Sequence, residues 1–313
     1  MAERKRHGVI SRSDPRPVAY RLILSGRLDG PTNMALDEAI LLAASQALAP
    51  PTIRLYGWSP SALSLGYAQK LRAEIDLERC QAWGVDIVRR PTGGRAVLHD
   101  QELTYSLVAP EEAFPAPPSI LATYREISRA LIAGLAQLGI DSQLVPEPPR
   151  TLSRPASSAA CFATPSAYEV AVAGKKIVGS AQKRWKGYLL QQGSILISLD
   201  RERLFALLHP DAGESSWKGR GSGVPSRPAS SPVGPDRSFP PAPFQPLGEQ
   251  MTSIEEVLGR PVSFEEVTAA ICRGFEEAWE IALREEALSE REGELAAELR
   301  REKYARSEWN LRR

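Results

Sequence analysis

Between Ile53 and Val108 five short runs of β-forming residues follow one another: 53–56, 63–67, 85–90, 96–99 and 103–108. The connections between them are rich in Gly, Pro and Ser, as tight turns require. No amphipathic helical stretch intervenes regularly, so the pattern excludes a doubly wound parallel sheet. Three further strands are predicted over 166–173, 176–184 and 187–199, with turns at Ala173-Gly174 and Lys186-Gly187. The fold class that follows is α+β, a mostly antiparallel sheet domain flanked by helices.

Two helices flank the first strands. Pro31-Thr32-Asn33 is a start signal, Ala35, Leu36, Ala39, Ile40 and Ala43 recur on one face, and Pro50-Pro51 is a stop. Pro117-Pro118 opens the second, in which Tyr124, Ile127, Leu131, Leu135 and Leu138 form a stripe and Gly139 stands at the C-cap. Residues 145–160, rich in Pro, Ser and Ala, are expected to form a mobile loop. Eight prolines lie between Pro225 and Pro246, and 211–247 has little to bury, so disorder is expected there. Beyond it, Ser263 and Glu266 make a capping box for a helix with Phe264, Val267, Ile271 and Phe275 inward. The expected organisation is a flexible arm 1–17, a catalytic domain 18–210, a Pro/Ser-rich segment 211–250 and a small C-terminal helical appendage 251–313.

Charge and cysteine content narrow the function. The formal net charge is +1, which gives no electrostatic pull toward nucleic acid or an anionic membrane. No apolar run reaches the roughly 20 residues that span a bilayer, and the polar N-terminus lacks a secretory signal. Three widely spaced cysteines, Cys80, Cys161 and Cys272, suit neither a disulfide framework nor a zinc site. A cytoplasmic protein without a metal is expected.

Three places carry candidate chemistry. The stretch from Arg89 to Asp100 sets a Gly93-Gly94 turn between arginines and ends in His99-Asp100. Glycines let backbone amides approach a bound oxygen closely, although an ordinary hairpin turn reads the same way. Neither nucleotide-binding glycine fingerprint is present. The second place is 174–184. The chain has only eight lysines, and four of them fall within 175–186. Strand alternation there predicts Lys176, Val178, Ser180 and Gln182 on one face, with Lys175 and Lys183 on the other. A lysine on an inward face can hold a carbonyl oxygen or exchange a proton, whereas lysines on a solvated edge merely protect it. The third is Cys161, which joins the expected loop to the strands carrying Lys176. A nearby ammonium would lower its pKa and make it a nucleophile. Cys80 and Cys272 read as small buried hydrophobes, and His99 is a base candidate or a structural histidine.

Taken together, these blocks resemble the biotin/lipoate protein ligase superfamily, in particular its octanoyltransferases. The blocks are Asn33 to Glu38, Arg54 to Trp58, Arg89 to Asp100, Glu102 to Ser106, Cys161-Phe162, Pro165 to Glu169, Gly174 to Gln182, Gly193 to Leu196, and Leu299 to Tyr304 with Glu308-Trp309. The resemblance implies the sheet domain of that superfamily and a two-step acyl transfer. Octanoyl leaves the phosphopantetheine thioester of acyl carrier protein for Cys161. It then passes to a lysine of the glycine cleavage H protein or of a lipoyl domain. Lys176 is implied as the partner of Cys161. Arg90, Thr92, Gly93, Gly94, Arg95, His99, Gly179 and Ser180 are implied in substrate binding, with backbone amides at the oxyanion. The donor is already a thioester, so the enzyme needs no cofactor, and a monomer is the default. Related sequences often carry histidine where this chain has Gln192. An ATP-dependent lipoate–protein ligase shares the fold, and a non-catalytic carrier-binding protein is the other alternative.

Overall fold

The structure, a computed structural model, describes residues 19–70, 75–114, 119–145, 169–207 and 250–312. The expected arm 1–17, nearly all of the loop 145–160, Cys161, the start of the strand at 166–173 and the segment 211–247 lie outside them.

Strand β1 (Ala19–Leu28) runs through helix α1 (Gly30–Ala44) into β2 (Thr52–Trp58). Then follow β3 (Ala62–Leu65), α2 (Leu77–Ala82), β4 (Asp86–Arg89), β5 (Val97–His99) and β6 (Glu102–Pro110). Helix α3 (Ile120–Gln137) precedes β7 (Gln143–Leu144), β8 (Val170–Val172), β9 (Lys175–Trp185) and β10 (Tyr188–Leu196). The remainder is α4 (Arg201–Leu207), α5 (Ile254–Leu258), α6 (Phe264–Trp279), β11 (Ala282–Glu285), α7 (Glu290–Leu299), a π turn (Arg300–Tyr304) and α8 (Ser307–Asn310).

The large sheet has the order β11-β1-β2-β6-β10-β9-β8-β7, and a small one has β4-β3-β5. The expected α+β architecture with a mostly antiparallel sheet is present. Parallel pairing occurs where a helix supplies the crossover, at β1–β2 through α1 and at β3–β4 through α2, and also between β1 and β11. Residues 251–313, expected as a helical appendage, add β11 to the sheet edge and Val267, Ile271 and Phe275 to the main core. Among the described residues no helix is long and apolar enough to cross a membrane.

The two faces of the large sheet differ in chemistry. Tyr20, Leu22, Ile53, Leu55, Leu103, Leu107, Leu189 and Ile195 point to one face and meet α3 and α6 in a continuous apolar core. The alternate residues point toward α1. That helix departs from the expected single apolar stripe, because Asn33 to Leu41 are buried without a break. It is covered by the sheet on one side and by α7 on the other. Asp29 caps it, its carboxylate accepting from the Thr32 N–H at 2.7 Å. The helix ends at Ser45, ahead of Pro50-Pro51.

Caps are placed as the sequence predicts, with one difference. Gly139 follows α3 at φ +82°, a conformation that favours glycine. Ser263 Oγ accepts from the Glu266 N–H at 3.0 Å, but the Glu266 carboxylate turns to Arg260, so only half of that capping box forms. The complete box is Ser289–Glu292 on α7. Glu292 is also the buried partner of Arg21, which joins α7 to β1.

Helices α3 and α6 touch at glycines. A Cβ on Gly274 would lie 2.2 Å from the Gly134 nitrogen, so no side chain fits the crossing. Gly274→Ala gains about 1 kcal/mol of helix propensity but must separate the two helices, at a cost of about 1–3 kcal/mol. The expected outcome is a net loss, read as a lower urea midpoint at unchanged slope. A midpoint that rises would show that the crossing has slack.

Candidate active site

The α1-facing side of the sheet is buried and polar. Asp37 is fully buried and gathers four donors: Arg54 Nη1 (2.8 Å), Tyr56 Oη (2.8 Å), Ser106 Oγ (2.7 Å) and Gln192 Nε2 (2.6 Å). Burial first, and the Asp37 carboxylate second, hold the Tyr56 phenol well above its ordinary pKa, so it stays a donor. Arg54 also bonds the Asn33 side chain at 2.6 Å and lies over the Tyr56 ring. The network binds α1 to β2, β6 and β10.

From this network a chain of contacts leads to the Gly-Gly turn. Gln192 Oε1 accepts from Thr92 Oγ1 at 2.9 Å. Arg90 clamps the turn from within, donating to the carbonyls of Ser64 (3.0 Å), Gly93 (2.9 Å) and Arg95 (2.7 Å). Gly94 takes φ +92°, and a Cβ on Gly66 would lie 1.9 Å from its carbonyl oxygen. The arginine expected at a substrate oxygen thus shapes the loop. His99 is enclosed: Nδ1 lies 2.7 Å from Glu102 Oε1, Nε2 lies 2.6 Å from Ser64 Oγ, and the ring stacks on Trp58 at 4.0 Å.

A narrow slot of about 30 Å³ opens beside these groups, room for about two waters. Met34, Tyr56, Trp58 and Val97 give it an apolar wall, and Gly179, Ala181 and Gly193 give it a bare backbone wall. Gly193 cannot carry a side chain here, since its Cβ would sit 2.3 Å from the Tyr105 ring and 2.7 Å from Ser180 Oγ. Of the residues implied by sequence, Arg90, His99, Gly179 and Ser180 meet at the slot, and Thr92 touches it through Gln192. Ser180 contributes backbone, because its hydroxyl turns away to Tyr105 Oη at 2.7 Å. Gly93 and Gly94 are exposed and Arg95 is partly buried; none of the three lines the slot.

Lys176 departs from strict alternation. Val170 pairs with Val178, but Ala171 pairs with Lys176, so β9 carries one extra residue there. In this β-bulge Ile177 and Val178 both enter the apolar core. Lys176 is thereby turned to the opposite face from Val178, Ser180 and Gln182, correcting the expectation that all four share one. It joins Gly179 and Ala181 on the α1 side. Its ammonium is fully buried and donates to Glu169 Oε1 at 2.6 Å. Lys183 keeps the expected face, 3.2 Å from Glu38.

The sequence reading missed Asp37, Arg54, Trp58 and Glu169 as site residues. The signal for the first two was polar residues set inside apolar elements. The other cysteines are disqualified as nucleophiles, because burial pushes the thiols of Cys80 and Cys272 up to about 11. Cys161 lies outside the described residues.

The C-terminal segment closes the site from outside. Lys303 Nζ and Tyr304 Oη donate to Glu38 at 2.6 and 2.7 Å, Trp309 Nε1 donates to the Arg89 carbonyl at 2.8 Å, and Asn310 Oδ1 accepts from the Arg89 N–H at 2.9 Å.

A mixed sheet with one polar buried face thus carries a narrow slot with an apolar wall and, on the same face, a buried lysine. The chain belongs to the family described as the lipoyl protein ligase A/B catalytic domain, which it matches over residues 29–230. Among curated proteins it is similar to Octanoyltransferase LipM of Kyrpidia tusciae, 43% identical over 297 residues, 94% of this chain and 99% of that protein. The same holds for Octanoyltransferase LipM of Bacillus subtilis, 39% identical over 94% of this chain and 98% of that protein. Among solved structures it resembles a lipoate-protein ligase A bound with ATP, with a TM-score of 0.71, 26% identity, and coverage of 94% of this chain and 99% of that one.

The C-terminal clamp depends on pH. Burial raises the Glu38 pKa, but Lys303, Tyr304 and Lys183 together outweigh it, so the carboxyl sits below its ordinary 4.5. A depressed carboxylate stabilises the fold fully above its unfolded value, and that contribution disappears as pH falls through the folded value. The C-terminal turns should therefore loosen below pH 4.5, read as increased proteolysis near Trp309, and Glu38→Gln should loosen them already at neutral pH. Equal protection of both proteins at pH 7 would contradict the assignment.

Proposed function

We infer that this chain is a protein octanoyltransferase of lipoate biosynthesis, working by way of an enzyme thioester. The observation that carries the reading is the 38–43% identity to octanoyltransferases over more than nine-tenths of the chain. The apolar wall of Met34, Tyr56, Trp58 and Val97, on the same face of the sheet as Lys176, supports it, because an acyl chain needs a dry wall and its carbonyl needs polar groups at the end.

In the first step the Cys161 thiolate attacks the octanoyl thioester of an acyl carrier protein. A new C–S bond forms, the old one breaks, and the pantetheine sulfur leaves and takes the proton. In the second step a neutral lysine amine of a lipoyl-carrier protein attacks the enzyme thioester. An amide forms, the C–S bond to Cys161 breaks, and the proton lost by nitrogen restores the thiol. The carrier is an H protein or a lipoyl domain; one solved relative is a bi-partite lipoate protein ligase from Thermoplasma acidophilum, described with its E2 lipoyl domain. Lys176 has two tasks. Its charge favours the thiolate, and its N–H groups favour the oxyanion of each tetrahedral intermediate. Glu169 fixes the ammonium in place. Arg90, Thr92 and Gln192 set the shape of the slot.

Intact mass after mixing with octanoyl-carrier and no nucleotide should show an adduct of ~126 Da on Cys161, as covalent catalysis requires. Cys161→Ser should lose both adduct and transfer, and Lys176→Met should cut transfer at least ~100-fold. Full transfer by Cys161→Ala would end the mechanism. The ATP-bound relative keeps a lipoate ligase as the second reading. Nucleotide-dependent attachment of free lipoate by the purified protein would establish it.

A further inference from the structure

A second cavity is larger than the slot. It measures about 510 Å³ and lies between the start of β6, the end of β10 and α4. Val97 belongs to the walls of both. On its other side stands Met251, whose backbone pairs with Lys176, while the Thr252 N–H donates to the Lys176 carbonyl at 3.0 Å. The cavity therefore adjoins both the slot and the lysine strand.

Its lining has two kinds of surface. Leu196, Leu199, Leu204 and Met251 are apolar. Asp100, Glu102, Asp200 and Glu202 are carboxylates. Arg201 is committed to Glu256 and to the Met251 carbonyl, and Arg203 neutralises Asp100 alone at 2.7 Å. Glu102 is completely buried, and three donor groups converge on its Oε1. Its Oε2 is the only buried carboxylate oxygen without a hydrogen-bond partner among the described residues. Shut off from solvent, that oxygen adds to the negative potential of the cavity and is not itself a contact for a ligand.

We propose that this cavity is the channel by which the acceptor lysine reaches the thioester, its stem against the leucines and Met251 and its ammonium drawn by the carboxylates, one of which takes its proton so that the neutral amine attacks. The chemistry matches a side chain with a four-carbon apolar stem and a charged head. The negative lining disfavours the other candidate occupant, the phosphate-bearing arm of the donor. This proposal rests on the octanoyltransferase reading and adds where the second substrate enters.

The experiment separates the two half-reactions. Octanoyl-carrier loads the enzyme, loading is followed by intact mass, and an apo lipoyl domain then discharges it at varied concentration. Glu202 is exposed, so Glu202→Lys leaves the fold intact; Leu199→Trp narrows the channel sterically. Both variants should load at the wild-type rate. Glu202→Lys should raise the KM for the lipoyl domain about tenfold, a loss that shrinks at high salt. Leu199→Trp should slow discharge at least ~10-fold. Slowed loading with normal discharge would assign the cavity to the donor arm and overturn the proposal, as would two unaltered half-reactions. If the wild-type enzyme transfers octanoyl without a loaded intermediate, the thioester reading fails. The channel is then judged by which substrate's steady-state KM the variants raise.

Discussion

A carboxylate without solvent must be surrounded by donors, or the cost of burying it goes uncompensated. Asp37 meets that condition with four of them, drawn from three strands. Each donor is itself fixed by something else: Arg54 by Asn33, Gln192 by Thr92, and Thr92 by the turn that Arg90 clamps. Helix α1, the sheet and the turn beside the slot are therefore one mechanical unit. Removing a donor leaves a buried group unpaired, which costs more than the hydrogen bond contributes. The position of the slot wall is in this sense decided at a residue that does not line it.

Much of the fold was legible because it follows from local chemistry. Turn residues between short β runs give an antiparallel sheet, Ser263 starts a helix, and Gly139 ends one. The strands at 19–28 and 282–285 were not legible, because each pairs in parallel with a partner distant in sequence. The stripe expected on α1 was too narrow for a different reason. Polar residues at Asn33, Asp37 and Glu38 look solvent-facing in a sequence, and only the sheet, α7 and the π turn packed around the helix show that Asn33 to Leu41 are buried without a break.

The candidate site was readable as a set of segments and not as a set of roles. Arg90, His99, Gly179 and Ser180 meet where expected. The sequence could not show that Arg90 spends its donors on carbonyls, that His99 is held at both nitrogens, or that the Ser180 hydroxyl faces the far side. Glu169 was invisible as the counter-ion of Lys176 because the bond joins two strands whose register includes a bulge. A residue type announces that it can act; its neighbours decide whether it is free to.

The single extra residue in β9 has a consequence for how this strand can vary. Which way Lys176 points is a matter of parity and of the bulge together: two residues separate it from Gly179, and because both face the core the lysine returns to the Gly179 side. Side-chain replacements at Ile177 or Val178 disturb packing by degrees. Deleting either one removes the bulge and leaves Lys176 two residues from Gly179, on the same face by plain alternation; the extra residue therefore lets this stretch put two side chains into hydrocarbon without turning the amine away.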